Sequence, residues 1–256
     1  MSEESPPVAL SGVDEERFGI RTAKTSLLTS EDLPGVMGFC EQNQVRGLIA
    51  RCPAQNLRVA QDMEKLGFSL MDTLVYYSFD LKKPLMEEKA SDFVIRHVMP
   101  GEEHAVRAMA EESFRNYPGH YHQDRKLEKR ISDEIYPDWA FKSCLSREVA
   151  DAVLVAECQG KLAAFATMCA RSGGEGEGLL FGVTPPFQGR GVYRLLMAGG
   201  MRWCIESGLS SMVVSTQVTN TAVQKVWVRL GFEPCRSYYT FHKWFDPPEG
   251  GGTVVP

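Results

Sequence analysis

The sequence lacks the patterns that mark membrane, secreted and nucleic-acid-binding proteins. No stretch approaches the run of about 18 apolar residues that a membrane-spanning helix needs. The opening residues, MSEESPPVAL, are polar and acidic, which argues against a secretory signal with a basic start and an apolar run. Basic residues do not outnumber acidic ones, since 28 Lys and Arg stand against 33 Asp and Glu. The net charge of -5 argues against a protein that binds nucleic acid through its overall charge.

Disulfide and metal-binding patterns are missing as well. The seven cysteines form no CxxC pair, and the five histidines form no HExxH motif. An odd number of cysteines without such a pair argues against both a disulfide framework and a thiolate zinc site. Several cysteines lie in apolar runs such as VLVAECQGKLAAFATMCA, where a thiol acts as a small hydrophobic group. We therefore expect a cytoplasmic protein without a bound metal.

The sequence does contain enough apolar material for a substantial core. Apolar residues make up 43% of the chain, the share of an ordinary globular protein. Its length of 256 residues allows one large domain or two small ones. The residues up to about position 20 are expected to form a loosely ordered acidic lead-in. Residue spacing then predicts a strand at VRGLIARCP, a helix at NLRVAQDMEKLGF and a strand at SLMDTLVYYSFDL.

After a charged, proline-bearing segment, strand and helix patterns alternate again. DFVIRHV predicts a strand, GEEHAVRAMAEESFRN predicts a helix, and the stretch from Tyr117 to Cys144 is interpreted as irregular. VLVAECQGKLAAFATMCA predicts a hairpin that turns at Gln159-Gly160. The glycine-rich residues 173–178 are expected to form a flexible loop before the strand GLLFGV.

One pattern occurs twice in the chain. Asn56 precedes Phe68 by twelve positions, and Asn220 precedes Phe232 by the same twelve positions. Each copy has an apolar strand pattern before its Asn and an aromatic-rich strand pattern after its Gly-Phe pair. The repeat indicates that the first part of the chain is a partial copy of the last half of the main domain. We therefore predict a truncated domain over 1–82, a linker over 83–91, a full domain over 92–245 and a flexible tail over 246–256.

The strongest local signal lies in GLLFGVTPPFQGRGVYRLLMAGGMRWCIESG. An apolar strand ends at Val183, the loop 188–191 follows, and a helix is predicted from about Val192 to Ser207. Glycines let backbone N–H groups face inward, and a helix start adds unsatisfied N–H groups and a positive dipole end. Together these features predict a cradle for an anionic phosphate. A turn that only changes the chain direction fits QGRG alone equally well.

The segment VTPPFQGRGVY resembles the acyl-CoA loop of the GNAT (Gcn5-related N-acetyltransferase) superfamily, whose pattern is V-x-P-x-x-[QR]-x-x-G-x-[GA]. Val183, Pro185, Gln188 and Gly191 fall on this pattern, and Tyr193 departs from it at the last small position. STQVTNTAVQKVWVRLGF is similar to the family's strand, Asn-led helix and closing Gly-Phe. The resemblance implies an α/β (α+β) fold with a mixed, mostly antiparallel sheet flanked by helices, preceded here by a partial domain of the same kind.

The resemblance covers roughly residues 92–245, and the order of half-domain, linker and full domain is similar to the bacterial TDP-fucosamine acetyltransferase group. It implies an acetyl-CoA-dependent N-acetyltransferase that transfers acetyl directly to a primary amine of a small molecule, most simply a nucleotide-linked amino sugar. An aminoglycoside, polyamine or protein acceptor stays open, and the net acidity favours a cationic amine. A degenerate domain that binds acyl-CoA or a partner without catalysis also stays open. We expect no nucleic-acid or membrane partner, and a homodimer is left open.

The resemblance also implies where acetyl-CoA would bind. The loop amides would hold the pyrophosphate, the end of the preceding strand would contact the pantetheine arm, and Asn220 would lie near that arm. As an N-cap residue, Asn220 has a structural role of its own. The cofactor residues implied in this way are Phe181, Gly182, Val183, Gln188, Gly189, Arg190, Gly191, Val192, Tyr193, Asn220 and Trp227.

Trp227 stands where many family members carry a tyrosine that protonates the leaving thiolate. An indole N–H is not acidic enough for this task, so we expect the indole to form an apolar wall beside the acyl-CoA arm. The proton is predicted to come from Tyr239 or, as second choice, Tyr238, with bound water or His242 as the remaining source. Asn220 completes the predicted catalytic set. GLLFGV carries no carboxylate that could act as a base.

The stretch NYPGHYHQDRKL is expected to wall the acceptor pocket. Aromatic rings stack on sugar or base faces, and His and Asp form hydrogen bonds with hydroxyl groups. An ordered surface loop is the alternative interpretation. The predicted acceptor-binding residues are Tyr117, His120, Tyr121, His122 and Asp124.

Overall fold

A computed structural model describes residues 8–26, 29–85 and 91–245. The chain divides into two compact units, neither of which is continuous in sequence. Unit 1 comprises Met1–Leu74, Pro118–Ile131 and Ser237–Pro256, and unit 2 comprises Val75–Tyr117 and Ser132–Arg236. In the described part of the chain, no helix is both long and apolar enough to cross a membrane.

Strands and helices alternate along most of the chain. The strands and α-helices are β1 (Val8–Leu10), α1 (Gly12–Phe18), β2 (Thr22–Thr25), α2 (Leu33–Gln42), β3 (Gly47–Pro53), α3 (Leu57–Lys65), β4 (Ser69–Asp80), β5 (Val94–His97), α4 (Glu103–Ser113), α5 (His120–Gln123), α6 (Lys129–Asp133), α7 (Ile135–Leu145), β6 (Ala152–Cys158), β7 (Lys161–Arg171), β8 (Glu175–Val183), α8 (Val192–Glu206), β9 (Ser211–Gln217), α9 (Thr221–Arg229) and β10 (Glu233–Trp244). The division between the units falls inside β4, α6 and β10.

Unit 1 contains four neighbouring strands in the order β1-β2-β3-β10. β2 runs parallel to β3, whereas β1 with β2 and β3 with β10 are antiparallel pairs. One apolar cluster joins this sheet to α2 and α3 through side chains such as Val36, Met63 and Phe241. These helices therefore cover one face of the unit 1 sheet.

Unit 2 contains the strand order β4-β9-β8-β7-β6-β5. The strands from β5 to β8 form antiparallel neighbours, and β8 pairs parallel with β9, so the sheet is mixed. Side chains alternate along β6: Leu154 belongs to the apolar cluster of α8 and α9, whereas Val153 and Val155 belong to that of α4 and α7. Helices consequently cover both faces of this sheet.

The repeated pattern adopts the same local structure twice. Asn56 and Asn220 are the N-cap residues of α3 and α9, and each accepts a hydrogen bond from the backbone N–H three residues later at 3.5 Å. Gly67 and Gly231 follow the two helices with positive φ angles of 79° and 92°. Both copies then continue into a strand of twelve residues. The matched spacing in the sequence thus reflects a matched helix with its two ends.

The predicted domain boundaries stay a prediction, because the two compact units divide the chain differently. The predicted linker falls partly outside the described residues, and the predicted tail falls wholly outside them. The expected loose lead-in is wrong from Val8 onward, since β1 pairs with β2 and α1 follows it. Asp14 explains the error, because this acidic residue is only 1% exposed and is part of the folded unit.

The stretch from Tyr117 to Cys144 is not irregular, because it contains α5, α6 and most of α7. Pro137 lies in the first turn of α7, where a missing N–H removes no intrahelical hydrogen bond. The buried positions Ile135, Ala140 and Ser143 include few large apolar residues. The helix was therefore not visible as an apolar periodicity in the sequence.

The expected flexible loop over 173–178 is also wrong. Only a short 3₁₀ turn precedes β8, which begins at Glu175 and is paired from its first residue. Gly176 is buried, and a Cβ there would overlap the Sγ atom of Cys204 and lie 3.1 Å from Leu209. This glycine is therefore a close-packing residue of a strand.

We predict opposite effects for alanine at two glycines. Gly176→Ala should lower the free energy of unfolding by about 1–3 kcal/mol, because the new methyl group would overpack β8 against Cys204. Gly38 lies in α2, where a Cβ would meet nothing within 4 Å. Gly38→Ala should raise the same quantity by about 0.5–1 kcal/mol. Urea unfolding measures both, and an unchanged Gly176→Ala midpoint would contradict the packing described here.

Candidate functional site

The QGRG segment forms the loop between the end of β8 and the start of α8. A 3₁₀ turn over Pro185–Phe187 follows the strand, and Gly189 and Gly191 have positive φ angles of 74° and 79°. The side chain of Gln188 turns back, and its Nε2 donates to the carbonyl oxygen of Val183 at 3.0 Å. The loop is thereby tied to the strand that precedes it.

The first turn of α8 presents backbone N–H groups that no side chain caps among the residues that the structure describes. Its N-cap residue is Gly191, and the helix extends for 15 residues from there. Within the described part of the chain, a Cβ at Gly189 or Gly191 would meet no atom within 4 Å, so the space beside both glycines is open there. Uncapped N–H groups at the positive end of a helix dipole favour a bound anion. This geometry fits a phosphate-bearing ligand.

Strands β8 and β9 pair over only part of their length. Parallel pairing joins residues 175–178 to residues 211–214 and ends there. Of the remaining residues of β8, 180–183 keep their antiparallel partners on β7, and Leu179 lies at a register shift. The opposite edge of this part of β8 makes no ladder with β9, and such an edge can pair with an extended ligand. The open edge leads directly into the glycine loop.

Comparison with known proteins assigns this arrangement to a family. The profile of the Acetyltransferase (GNAT) family matches residues 107–232, which include the glycine loop, α8 and α9. Residues 107–232 of this chain belong to the GNAT family. The resemblance seen in the sequence is thereby confirmed, as is the fold class of a mixed sheet flanked by helices.

Two curated relatives align with this GNAT chain. The spore coat polysaccharide biosynthesis protein SpsD of Bacillus subtilis (strain 168) is 24% identical over 204 residues, which are 77% of this chain and 66% of that protein. The mycothiol acetyltransferase of Nocardia farcinica (strain IFM 10152) is 39% identical over 59 residues, which are 23% of this chain and 20% of that protein. The chain thus spans slightly less than two thirds of the first relative and a fifth of the second.

A solved structure has the same fold. The GCN5-related N-acetyltransferase from Sphaerobacter thermophilus superposes with a TM-score of 0.64 at 17% sequence identity. The superposition covers 94% of this chain and 76% of that chain. At this identity the likeness shows the fold alone.

GNAT proteins use acetyl-CoA, and the residues predicted for that cofactor all lie in unit 2 of this chain. They occupy the end of β8 that does not pair with β9, the glycine loop with the first turn of α8, and α9 with its N-cap. The open, uncapped amides of the loop fit the pyrophosphate, and the unpaired edge of β8 fits an extended arm. The individual assignments stay predictions.

Asn220 contacts both α9 and β9. Its Oδ1 caps the helix, and its Nδ2 donates to the Oγ1 of Thr216 at 3.0 Å. The Oη of Tyr117 lies 3.4 Å from the same Thr216 Oγ1. Asn220 and Tyr117 therefore share Thr216 as a neighbour, on the part of β9 that does not pair with β8. The sequence analysis had placed these two residues in different predicted groups.

Trp227 is buried in unit 2, where it contacts two tyrosines. Its Nε1 donates to the Oη of Tyr193 at 2.9 Å, and its ring centroid lies 5.4 Å from that of Tyr77. The ring of Tyr193 also lies 5.7 Å from the ring of Phe181, in the part of β8 that does not pair with β9. Burial raises the pKa of Tyr193 above its ordinary value of 10, which keeps its hydroxyl protonated at neutral pH. The sequence analysis did not include this hydroxyl among the candidate acids, although the departure from the family's small residue had marked the position.

The two predicted acids, Tyr238 and Tyr239, lie on the part of β10 that belongs to unit 1. The side chain of Tyr239 packs against the apolar cluster of this unit, and its ring lies 6.4 Å from that of Phe241. Tyr238 is on the other face of the strand, because neighbouring side chains alternate. Neither tyrosine shares a unit with the predicted cofactor residues, and their roles stay predictions.

Four of the five predicted acceptor residues lie in unit 1, whereas Tyr117 lies in unit 2. His120, Tyr121 and His122 occupy α5, and Asp124 follows that helix directly. His120, Tyr121 and Asp124 are buried. The stretch is therefore not an ordered surface loop at these three positions.

A chain of hydrogen bonds connects two of these residues through β10. The Nδ1 of His120 lies 2.9 Å from the Nε2 of His242, and the Nδ1 of His242 lies 2.7 Å from the Oδ2 of Asp124. The Nε1 of Trp244 donates to the same Oδ2 at 2.8 Å, and the backbone N–H of Lys126 donates to Oδ1 at 2.9 Å. We call these five residues the Asp–His–His cluster.

The carboxylate of Asp124 fixes the direction of these bonds. Its burial opposes ionisation, but hydrogen bonds from His242, the backbone of Lys126 and Trp244 outweigh it and hold the pKa of Asp124 below its usual range. An ionised carboxylate only accepts, so His242 carries its hydrogen on Nδ1. Its Nε2 then accepts from the Nδ1–H of His120 while both rings are neutral.

His120 stays neutral because of where it lies. Burial lowers the pKa of His120 well below its ordinary value of 6.5. The positive charges of Arg51 and Lys24 lower it further. A proton on His120 is therefore unfavourable in the folded chain at neutral pH.

A second polar group of unit 1 is centred on Asp14. The Oη of Tyr121 donates to Asp14 Oδ1 at 2.9 Å, and the Nζ of Lys24 lies 2.5 Å from Oδ2. A small cleft of about 20 Å³ beside it is lined by the rings of Phe18, Tyr121 and Trp244, among others. Asp14 was missed in the sequence because it falls in the expected lead-in.

We predict that His120 makes stability depend on pH. Its folded pKa is lowered, so the unfolded chain takes up this proton first as the pH falls below about 6.5. The free energy of unfolding should therefore decrease from pH 7 to pH 5, by at most about 1.4 kcal/mol per pH unit for this group. His120→Gln should remove that part of the slope in urea unfolding, whereas His97→Gln, at an exposed position of β5, should retain it. Equal slopes for the wild type and His120→Gln would contradict the burial of a neutral histidine.

Proposed function

We propose that this chain is an acetyl-CoA-dependent N-acetyltransferase that transfers acetyl directly to a primary amine of a small molecule in a ternary complex. One observation carries the proposal. The end of β8 does not pair with β9, and it leads through a loop with two positive-φ glycines into the uncapped first turn of α8. A phosphate at the amides and an extended arm along the strand would use both features. When bound, acetyl-CoA supplies the activated acetyl group.

The residues of unit 2 would hold and orient such a cofactor. The amides of residues 188–193 would bind the pyrophosphate, and the backbone of Phe181, Gly182 and Val183 would align the arm. Gln188 fixes the loop through its bond to Val183, and Asn220 fixes the start of α9 through Thr216. Trp227 would form an apolar wall beside the arm.

For the acceptor, we propose a nucleotide-linked amino sugar. The name of the SpsD relative, a polysaccharide biosynthesis protein, supports a sugar substrate. The net charge of -5 instead favours a cationic amine, such as an aminoglycoside, a polyamine or a protein amine.

A second candidate function is a degenerate GNAT module that binds acyl-CoA without catalysis. Two departures from the family pattern favour it, and their side chains share a hydrogen bond. Trp227 has an indole where many members have a phenol, and Tyr193 has a phenol where the loop pattern has a small residue. The intact glycine loop favours the enzyme. Turnover separates the two candidates.

The enzyme is tested by mass spectrometry of acetyl transfer from acetyl-CoA to a panel of nucleotide-linked amino sugars, aminoglycosides, polyamines and peptide amines. We expect acetylation of an amino sugar and binding of CoA by calorimetry. Gly191→Val should weaken CoA binding by about tenfold or more, since a side chain would enter the phosphate site. Gly208→Val is the matched control, because Gly208 has a similar φ of 73° and open surroundings at the other end of α8. CoA binding without turnover on any amine would favour the degenerate module.

The proton source is tested with three single phenylalanine variants. Tyr239 and Tyr238 are the acids predicted from the sequence, and Tyr193 is added because its hydroxyl is buried, protonated and bonded to Trp227. Loss of the acid should lower kcat by about 10²- to 10⁴-fold with little change in the KM for acetyl-CoA. The other two variants are controls for the one that acts. Full kcat in all three would exclude these tyrosines and favour bound water or His242.

A further inference from the structure

The glycine loop carries a cation that is held in place but not neutralised. The Cζ of Arg190 lies 5.2 Å from the ring centroid of Phe93 and 5.4 Å from that of Phe187. The two rings meet edge to face at 5.9 Å. Arg190 is exposed, and no carboxylate pairs with it in the part of the chain that the structure describes. We call these three residues the arginine clamp.

The arginine clamp prepares the guanidinium for an oxygen ligand. Contact with two ring faces restricts a side chain that otherwise loses much conformational freedom on binding. The rings leave the N–H groups at the guanidinium edge available, and these match two oxygens of a phosphate. Phe93 is 9% exposed and belongs to the unit 2 core, so the platform is anchored.

The guanidinium of Arg190 is held by residues that lie outside the first turn of α8. Phe93 precedes β5 and Phe187 lies in the 3₁₀ turn, so both platform residues are outside the first turn of α8. The uncapped amides of that turn already provide for one pyrophosphate. A held cationic side chain in addition to these amides fits a ligand that carries two separate phosphate groups, as CoA does with its pyrophosphate and its ribose 3′-phosphate.

We propose that Arg190 binds the 3′-phosphate of the cofactor and makes this site select CoA over dephospho-CoA. The inference rests on the proposed function, because it requires CoA at the glycine loop. It adds a specificity-determining side chain to a site otherwise formed by backbone groups. Phe93 and Phe187 act as positioning residues for this side chain.

Calorimetry with CoA and dephospho-CoA tests the proposal on the full chain, because the two ligands differ only in the 3′-phosphate. The wild type should bind CoA about 10- to 100-fold more tightly, the range expected for a charge-assisted hydrogen-bonded pair. Arg190→Ala should lower the affinity for CoA to that for dephospho-CoA and leave the latter unchanged. Phe187→Leu should reduce the ratio in part, since Arg190 keeps its charge but loses one ring.

Arg229→Ala is the charge-matched control, because Arg229 is exposed at the end of α9 and its removal changes the net charge equally. Its affinity ratio should equal that of the wild type. Equal losses for both ligands in Arg190→Ala, or a wild-type ratio near one, would overturn the role of Arg190 and leave the proposed function intact. If the wild type binds neither ligand, the proposed function fails together with this inference.

Discussion

The end of the parallel pairing between β8 and β9 is the constraint on which the candidate site depends. Up to Gly178 the two strands are joined, and Gly176 lets β8 lie close against α8. Beyond that point β8 keeps its pairing with β7. At the register shift between these two strands, the backbone N–H of Leu180 donates to the Oγ1 of Thr167 at 3.1 Å. The strand can leave β9 without losing its position. An unpaired edge is thus presented by a strand that remains rigid on its other side.

The glycine loop continues the same constraint. Because β8 is held by β7 to Val183, the bond from Gln188 to that carbonyl places the loop relative to a fixed strand. The positive φ angles of Gly189 and Gly191 then start α8 with its amides uncapped. Strand edge and phosphate cradle are therefore adjacent parts of one backbone path. Few side chains are needed to form them, which is why a short motif carried so much of the signal.

Local patterns with a backbone cause were predictable from the sequence. The hairpin turn at Gln159-Gly160, the loop 188–191 and the N-caps Asn56 and Asn220 all depend on residues that few others can replace, and the structure has each of them in place. Glycine in the strand at 176 was misread, since the same residue that permits a turn also permits close packing. Burial of a charged residue such as Asp14 depends on distant partners, which spacing along the chain does not reveal.

Comparison of the two copies of the repeat separates folding requirements from features of the site. Asn56 and Asn220 cap their helices identically, so the cap alone is no evidence of catalysis. In the same frame Trp227 corresponds to Met63, which is also fully buried, so burial at this position is a packing requirement in both copies. Thr216 corresponds to Cys52, which cannot replace a hydroxyl as a strong acceptor.

The bond from Asn220 Nδ2 to Thr216 therefore distinguishes the second copy from the first, as do the hydroxyl of Tyr193 on Trp227 and the contact between Tyr117 and Thr216. These polar contacts cluster where β9 has separated from β8, and only the second copy follows a strand with a glycine loop. What the copies share is explained by the stability of a strand–helix–strand unit. What they do not share lies beside the open strand edge, and this is where the chemistry of the chain is to be sought.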